Sequence, residues 1–362
     1  MGKIREERTK KRITSRWYYS ITSLKYFGWF FRWYSINLKS KIVDIRSILN
    51  YFILMQKPRI GPDFDVSFSK NALMIVPTNI CNAKCTFCAN RFLTDSHKVM
   101  DFGTYKLAID EYVKNNGRIV SLTPTVGDAL VDKDIFKKIS YAKENGLYVM
   151  FYTNGILLKD KIHELLDSDI DELLISLGDI DYRYESKLFG VSENLAKLKL
   201  ENILSLLNAM KEKKSKLQFT LGFRASRSFN SIMHDMMKSE FMNFYNAGLF
   251  KIEYVYSYDN WGGKIKESDL FGVQKLQSSP KFRKYPCVGL YLLSVLPDGQ
   301  IRLCGCRVKN TLYDDLIIGD IHTENLETIF NSKKRADIIE NFCNGKFPDV
   351  CRDCSLYCPK LR

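Results

Sequence analysis

Three cysteines within eight residues constrain this chain more than any other feature of its sequence. Cys81, Cys85 and Cys88 form the pattern C-x3-C-x-F-C, directly after a short apolar run that is typical of a strand. Three thiolates can hold three corners of an iron–sulfur cube that normally takes four cysteine ligands. The fourth iron then keeps an open position, as a catalytic zinc ion does when a protein supplies three ligands. The spacing therefore predicts a cluster that can bind a cofactor or substrate directly.

Short apolar runs alternate with stretches of helical periodicity from residue 72 onward. Such alternation indicates a mainly parallel sheet with right-handed crossovers. Six units predict an α/β fold, either a partial (β/α)6 barrel or an open sheet. The runs interpreted as strands are Leu73–Pro77, Ile119–Thr123, Tyr148–Thr153, Leu173–Leu177, Leu217–Phe223 and Lys251–Tyr256, and helices are expected near 103–115, 134–145, 159–168, 193–213 and 230–247.

The other seven of the ten cysteines lie between residues 287 and 358. A disulfide framework is usual in short secreted chains, whereas clustered cysteines in a reducing compartment indicate metal binding. The alternation of strands and helices stops after Gly263, and the remaining segment holds little core-forming material. Such a segment needs a metal cluster to hold it together, which predicts a small C-terminal cysteine-rich domain.

The N-terminal segment carries most of the formal net charge of +14, with twelve Lys and Arg against three acidic residues in 1–48. It is also aromatic, with Trp17, Trp29 and Trp33 among its residues. It has too few consecutive apolar residues to span a bilayer and lacks the aliphatic core of a secretory signal. Two interpretations remain open, a helix lying at a membrane interface and a helical extension packed on the catalytic domain. We expect a cytoplasmic protein that, in the first case, contacts the inner membrane face through residues 1–56.

The pattern C-x3-C-x-F-C after the first strand of a six-unit β/α barrel resembles the radical S-adenosylmethionine (SAM) superfamily. The resemblance implies that the open iron of a [4Fe–4S] cluster chelates the amino and carboxylate groups of SAM. One electron then cleaves SAM, and the resulting 5′-deoxyadenosyl radical removes a hydrogen atom from the substrate. In this interpretation the cofactors carry the chemistry, and the protein supplies position and exclusion of water.

The same resemblance implies five SAM contacts in this sequence. Gly127 and Asp128 match the family's Gly-Gly-Glu-like stretch, with Asp in place of the usual Glu. Asn154 lies in a Thr-Asn-Gly that matches the family's stretch after the third strand. Ser176 ends the fourth strand, where family members often place a polar group, and Arg224 ends the fifth and suits the SAM carboxylate. Each position is also compatible with an ordinary turn or strand-end residue.

The C-terminal cysteines resemble the SPASM/Twitch extension, which carries auxiliary [4Fe–4S] clusters. Cys287 and Cys304 fit C-x11-G-x4-C around Gly299, and Cys351 and Cys354 supply the following C-x2-C. The resemblance implies that these four cysteines hold one auxiliary cluster. Three cysteines remain as candidates for a second cluster, which is one fewer than an all-cysteine site needs, so a single-cluster domain is favoured; they are Cys306, Cys343 and Cys358. A structural zinc site is the alternative for the whole set.

The domains expected are a helical basic and aromatic extension (1–65), a radical SAM partial barrel (66–265) and an auxiliary cluster domain (266–362). The leading functional hypothesis is oxidation or other C–H modification of a carbohydrate-like or lipid-linked substrate, with flavodoxin or ferredoxin as reductant. A peptide maturase is the second enzyme hypothesis. A zinc-stabilised membrane- or nucleic-acid-binding module is the non-enzymatic one, although no nucleic-acid partner is expected. The four histidines are scattered, so no side chain is selected as catalytic.

Overall fold

The computed structural model describes residues 67–360, apart from 95, 225, 256, 272–273, 281–282, 284, 307 and 309–312. Residues 65–357 form one compact unit, and Cys358 falls in a second one. The helical extension predicted for residues 1–65 lies outside the described residues, as does the membrane contact predicted for residues 1–56. The domain boundaries near residues 65 and 265 stay predictions.

Six parallel strands follow one another in the order of the chain, and each pairs with the next. This order confirms the α/β fold and is that of a partial barrel with helical crossovers. The strands coincide with the apolar runs of the sequence, because a strand covered on both faces needs apolar side chains at almost every position. The strands are β1 (Leu73–Ile75), β2 (Ile119–Ser121), β3 (Tyr148–Thr153), β4 (Glu172–Leu177), β5 (Gln218–Arg224) and β6 (Lys251–Val255).

The crossover helices bury one apolar face against the outer side of this sheet. The longest of them, α5, buries side chains at Ala196, Ile203 and Leu207, and the Ser192 hydroxyl caps its first turn by accepting from Leu195 N–H at 3.2 Å. The α-helices of the described residues are α1 (Phe102–Lys114), α2 (Ile135–Glu144), α3 (Ile162–Asp167), α4 (Tyr182–Phe189), α5 (Glu193–Glu212), α6 (Phe229–Met236), α7 (Phe241–Asn246), α8 (Leu326–Phe330) and α9 (Lys333–Cys343).

Two helices differ from the sequence-based expectation. The single helix expected over 230–247 is two helices, α6 and α7, because the Ser239 hydroxyl donates to the Met236 carbonyl at 2.8 Å where α6 ends. A serine that bonds to a nearby carbonyl in this way competes with continuation of the helix. Helix α4 was not predicted, and it supports the loop of Cys81, Cys85 and Cys88, the first cysteine set.

The C-terminal part of the chain extends the barrel sheet instead of forming a separate layer. The sheet order in the described residues is β11-β10-β9-β1-β2-β3-β4-β5-β6. β9 runs parallel to β1, with Met74 opposite Ser294 and Ile75 opposite Val295, and β10 and β11 continue antiparallel. Gly299 has a φ of +85° in the turn between β9 and β10. These strands are β9 (Leu293–Val295), β10 (Gln300–Leu303) and β11 (Ile317–Asp320).

Two short strands, β7 (Ser257–Tyr258) and β8 (Lys275–Leu276), form a second small parallel sheet. Between them, Asn260 donates to the Asp353 carbonyl at 2.8 Å, and the Trp261 indole donates to the Phe87 carbonyl at 3.0 Å. The segment that follows β6 therefore ties the first cysteine loop to the C-terminal cysteine region. Among the described residues, no helix is long and apolar enough to cross a membrane.

Candidate active site

The first cysteine set occupies a loop at the carboxyl end of β1. Its backbone is held by the end of α4, because Lys84 N–H donates to the Phe189 carbonyl at 2.9 Å and Thr86 N–H donates to the Leu188 carbonyl at 3.0 Å. On its other side, Asp128 N–H donates to the Ile80 carbonyl at 2.9 Å. The loop is therefore fixed by elements that follow β2 and β4. The carboxyl end of a parallel sheet is where α/β enzymes place their ligands.

The three thiols of this loop lie close enough to affect one another's ionisation. Burial raises the pKa of Cys85 well above its usual value, and the neighbouring Cys88 and Cys81 thiols raise it further. Burial also raises the pKa of Cys88 to about 11, and that of Cys81 in the same direction. Thiols bind metal only as thiolates. Three half-buried thiols whose charged forms are disfavoured fit a cationic iron cluster, whose positive charge would favour their thiolate forms.

The chemistry of this thiol set fits an iron–sulfur cluster, because cysteine thiolates are the ligands that hold such clusters. Three thiolates on one loop would leave one iron of a cubane without a protein ligand. Cys81, Cys85 and Cys88 are thus the residues that would hold a [4Fe–4S] cluster here.

One backbone amide and one side-chain amide point at sulfurs of this set. Asn90 N–H donates to Cys88 Sγ at 3.4 Å, and Asn154 Nδ2 lies 3.9 Å from Cys81 Sγ. Asn154 Nδ2 also donates to Asn82 Oδ1 at 2.7 Å, while its own Oδ1 accepts from Ile156 N–H at 2.9 Å. The structure therefore brings Asn154 against the cysteine loop. Hydrogen bonds to ligand sulfurs are one of the factors that set the potential of an iron–sulfur cluster.

Asp128 is buried, and its carboxylate bonds to groups of the protein. It accepts from Asn154 N–H at 2.7 Å, from the Thr153 hydroxyl at 2.9 Å and from Leu130 N–H at 3.0 Å. Burial raises the pKa of Asp128, and the Asn154 N–H and the Thr153 hydroxyl oppose that rise. In this geometry, Asp128 joins the loop after β2 to the loop after β3. It thereby positions Asn154.

Gly127 passes close to the backbone that precedes the first cysteine. Its φ is +126°, and an added Cβ would lie 2.7 Å from the Thr78 carbonyl oxygen. Neither the dihedral nor the space admits a side chain, so glycine is required at this position. The two loops consequently approach each other through backbone atoms, which leaves peptide groups rather than side chains at their junction.

Ser176 and Arg224 lie at the carboxyl ends of β4 and β5, and both are half-buried. The Ser176 carbonyl accepts from Lys199 Nζ at 2.8 Å. The Arg224 guanidinium lies near the first cysteine set, since its charge opposes the rise that burial causes in the pKa of Cys88. Within the described residues, Arg224 forms no ion pair. Its charge is thus available to an anionic ligand beside Cys88.

A buried ion pair behind the loop was not predicted from the sequence. Lys199 and Glu185 are both fully buried and bond to each other, and Glu185 Oε2 also accepts from the backbone N–H groups of Gly178 and Asp179 at 2.6 and 2.9 Å. Lys199 Nζ lies 3.5 Å from the ring centre of Phe189, whose carbonyl holds the cysteine loop. The available sequence signal was a lysine on the apolar face of α5, since lysine is almost never fully buried unless it is paired.

Four of the C-terminal cysteines come together as the second cysteine set. An added Cβ on Gly289 would lie 3.0 Å from Cys304 Sγ and 3.7 Å from Cys287 Sγ, so both sulfurs flank that glycine. Burial raises the pKa of Cys351, and the thiols of Cys304, Cys354 and Cys287 raise it further. Cys304 itself has a φ of +60°, a conformation that a non-glycine residue adopts at a cost of about 1–3 kcal/mol. These four cysteines are the residues that would hold an auxiliary cluster.

The remaining C-terminal cysteines are placed differently. Cys306 and Cys343 are exposed, and Cys343 ends α9. Cys358 is half-buried and falls in the other compact unit. Their assignment to a cluster, Cys306 and Cys358 included, stays a prediction.

Comparison with protein families gives two matches, one for each cysteine set. The radical SAM superfamily matches residues 75–225, and the SPASM iron–sulfur cluster-binding domain matches residues 287–355. The chain therefore contains a radical SAM domain and a SPASM iron–sulfur domain. A radical SAM domain followed by a SPASM domain is an enzyme architecture, and it implies [4Fe–4S] clusters and SAM as cofactors. The hypothesis of a zinc-stabilised binding module is therefore set aside.

Parts of this chain are also similar in sequence to two curated relatives and in fold to a solved structure. The GTP 3′,8-cyclase of Campylobacter jejuni is 28% identical over 181 residues, covering 41% of this chain and 55% of the relative. The chain thus spans about half the length of that relative. The probable GTP 3′,8-cyclase of Sulfolobus acidocaldarius is 24% identical over 295 residues, covering 74% of this chain and 88% of the relative. SuiB of Streptococcus suis, in a crystal structure with its precursor peptide SuiA, shares the fold with a TM-score of 0.52 and 17% identity, covering 79% of this chain and 71% of that chain.

Proposed function

We propose that this enzyme reductively cleaves SAM and removes a hydrogen atom from a substrate, for oxidation or other C–H modification. The observation that carries the proposal is the loop of Cys81, Cys85 and Cys88 at the end of β1, which backbone hydrogen bonds fix to the elements after β2 and β4, with Arg224 beside Cys88. When bound, the [4Fe–4S] cluster supplies the electron that cleaves SAM to a 5′-deoxyadenosyl radical. A reductant such as flavodoxin or ferredoxin delivers that electron.

The protein's own groups would orient SAM and exclude water from it. The peptide groups at Gly127 would face the SAM amino group, and Asn154, Ser176 and Arg224 would contact SAM at the ends of β3, β4 and β5. Arg224 would pair with the SAM carboxylate, since it forms no ion pair within the described residues and Arg suits carboxylates. Asp128 supports this arrangement by accepting hydrogen bonds from Leu130 N–H, the Thr153 hydroxyl and Asn154 N–H, and a direct contact with the SAM amino group stays a prediction.

For the substrate, we propose a carbohydrate-like or lipid-linked molecule. The support is the basic and aromatic composition of residues 1–56, which suits an anionic membrane face, and the presence of an auxiliary cluster domain, which suits oxidation of a substrate held nearby. A peptide substrate is the second candidate. SuiB, which shares the fold, was crystallised with a precursor peptide. A mass-spectrometric search for product with sugar phosphates and with peptides would decide between the two.

The test of the reaction is anaerobic reconstitution of the wild type and of a Cys81→Ala/Cys85→Ala/Cys88→Ala variant, with Cys343→Ala as an exposed-thiol control. We expect about eight irons in the wild type and about four in the triple variant, because each cubane holds four. Wild type and control should form 5′-deoxyadenosine under dithionite, and the triple variant should form none. About twelve irons would mean that a second auxiliary cluster is present. Zinc in place of iron, with no SAM cleavage, would overturn the proposal.

A further inference from the structure

A cavity of about 370 Å³ lies on the inner face of the sheet where β9–β11 extend it beyond β1. Along the strands, every second side chain belongs to the hydrophobic core, and the side chains between them form the floor of the cavity. Residues in the loops after β1 and β2 and after β10 form its walls. Both the barrel and the SPASM domain therefore contribute to it. The floor is lined by Val76, Leu296, Gln300, Arg302 and Ile317, and the alternate residues Ile75, Val295, Ile301 and Ile318 belong to the core.

Residues next to both cysteine sets line this cavity. Leu93 and Val126 belong to an apolar cluster that also includes Cys88. Arg302, at the other side, donates to the Cys304 carbonyl. The cavity volume lies in the range of small-molecule sites, which are commonly formed where two domains meet.

The charged side chains that line the cavity have a net positive charge. Lys98 and Asp298 form an ion pair at 2.8 Å between the barrel and the turn before β10, and Arg302 and Asp314 form a buried one at 2.7 Å. Each lining carboxylate is thus matched by one cation. Lys334 also lines the cavity, and in the part of the chain that the structure describes it forms no ion pair. The lining consequently favours an anionic ligand.

One donor in this lining is buried without a partner. The Arg302 side chain is 3% exposed; its Nε donates to Asp314, and its Nη1 donates to the Leu303 and Cys304 carbonyls. Its Nη2 is buried and has no hydrogen-bond partner among the described residues. Buried N–H groups of a guanidinium are nearly always bonded, because leaving them unpaired is costly. Arg302 lines the cavity and carries a buried donor without a partner, which marks this lining as a candidate site for an acceptor group.

We propose that this cavity binds a small-molecule substrate through a phosphate or diphosphate group, with Arg302 Nη2 as a donor and Lys334 and Lys98 at the rim. The inference rests on the proposed function, since it names the substrate class of the same active site. Phosphate fits better than a neutral acceptor, because Arg and Lys together form the usual phosphate-binding set. Nucleotides and sugar phosphates, including lipid-linked ones, share this group.

The test measures binding of inorganic pyrophosphate, a nucleoside triphosphate and a sugar 1-phosphate to the anaerobically reconstituted protein by calorimetry. Lys334→Gln is compared with Lys333→Gln, a control of equal charge on the same helix that does not line the cavity. Arg302→Lys keeps a cation for Asp314 and removes the free Nη2 donor. We expect affinity to fall about tenfold or more in Arg302→Lys and severalfold in Lys334→Gln, with no change in the control.

Three results would overturn the proposal: no binding of any of the three phosphate compounds by the wild type, equal binding by wild type and Arg302→Lys, or equal losses in Lys334→Gln and Lys333→Gln. The ligand with the highest affinity identifies the source of the phosphate. SAM cleavage without substrate should stay unchanged in Lys333→Gln, because Lys333 lies on α9 and does not line the cavity. If the wild type binds phosphate compounds but forms no 5′-deoxyadenosine, the proposed reaction fails and the phosphate site stands.

Discussion

Replacing Gly190 with alanine should displace the first cysteine loop. Gly190 ends α4 with a φ of +60°, and an added Cβ would lie 2.4 Å from the backbone carbonyl oxygen of Lys84, inside that loop. Gly146 provides a matched control. It also follows a helix with a positive φ, of +74°, but an added Cβ there would meet nothing within 4 Å.

Both substitutions carry the free-energy cost of an alanine in the left-handed region, but only Gly190→Ala also creates a steric clash. An alanine in the left-handed region costs about 1–2 kcal/mol at either position. At Gly190 the Cβ would also sit about 1 Å inside ordinary contact with Lys84, and the obstructing atom is backbone, which cannot rotate away. The loop that carries Cys85 must therefore shift by about 1 Å. A displacement of this size can reduce the rate of a positioned reaction about 100-fold.

The assay compares iron content and 5′-deoxyadenosine formation after identical anaerobic reconstitution. Gly190→Ala should hold less iron in the first cysteine set and cleave SAM about 100-fold more slowly than the wild type, whereas Gly146→Ala should match the wild type in both. The reasoning would be refuted if Gly190→Ala kept its full iron content and a cleavage rate within about twofold of Gly146→Ala.

Two further predictions concern stability. Lys199→Met should lower the unfolding free energy of the cluster-free protein by about 3–5 kcal/mol, because it leaves the Glu185 carboxylate buried without its cation. Lys197→Met on the exposed face of the same helix is the control in urea unfolding, and a loss equal to that of the control would contradict the prediction. The Thr104 hydroxyl and N–H hold the pKa of Asp101 below its usual range, so this carboxylate stabilises the fold above its unfolded pKa and loses that effect as pH falls through its folded pKa. Asp101→Asn should therefore lower the thermal midpoint at pH 7 and have a smaller effect below about pH 4, and an effect independent of pH would contradict this assignment.

The strands of the barrel could be predicted because each is an apolar run, and β1 to β5 are largely buried in the sheet. The pairing of β9 with β1 could not be predicted from the sequence. β9 has three residues, and its partner lies more than two hundred positions earlier in the chain. A strand this short has no periodicity that specifies its neighbour, so the pairing depends on the tertiary packing of both faces.

Some residues of the candidate site could likewise be predicted from the sequence, and others could not. Spacing alone pointed to Cys81, Cys85 and Cys88, because metal ligands on one short loop must be close in sequence. The support behind them could not be found by spacing, since Glu185 and Lys199 lie on different helices and meet only when α4 packs on α5. The hydrogen bonds of Asp128 could not be predicted from spacing either. Its carboxylate accepts from three donors in the loops after β2 and β3, and the SAM contact implied by the family resemblance stays a prediction.

The β1–β9 pairing also bears on how the two cysteine sets work together. β1 leads into the loop of Cys81, while β10, the hairpin partner of β9, leads into Cys304. After Cys304 the chain returns toward the barrel, where the Gly305 carbonyl accepts from the Thr125 hydroxyl at 2.8 Å. Domains joined only by a linker are expected to move relative to each other. Here backbone hydrogen bonds within one sheet join the parts that carry the two sets, so their separation is fixed by strand register. A constant separation suits a substrate held between a site of hydrogen abstraction and an auxiliary cluster, because neither has to move for the other to act.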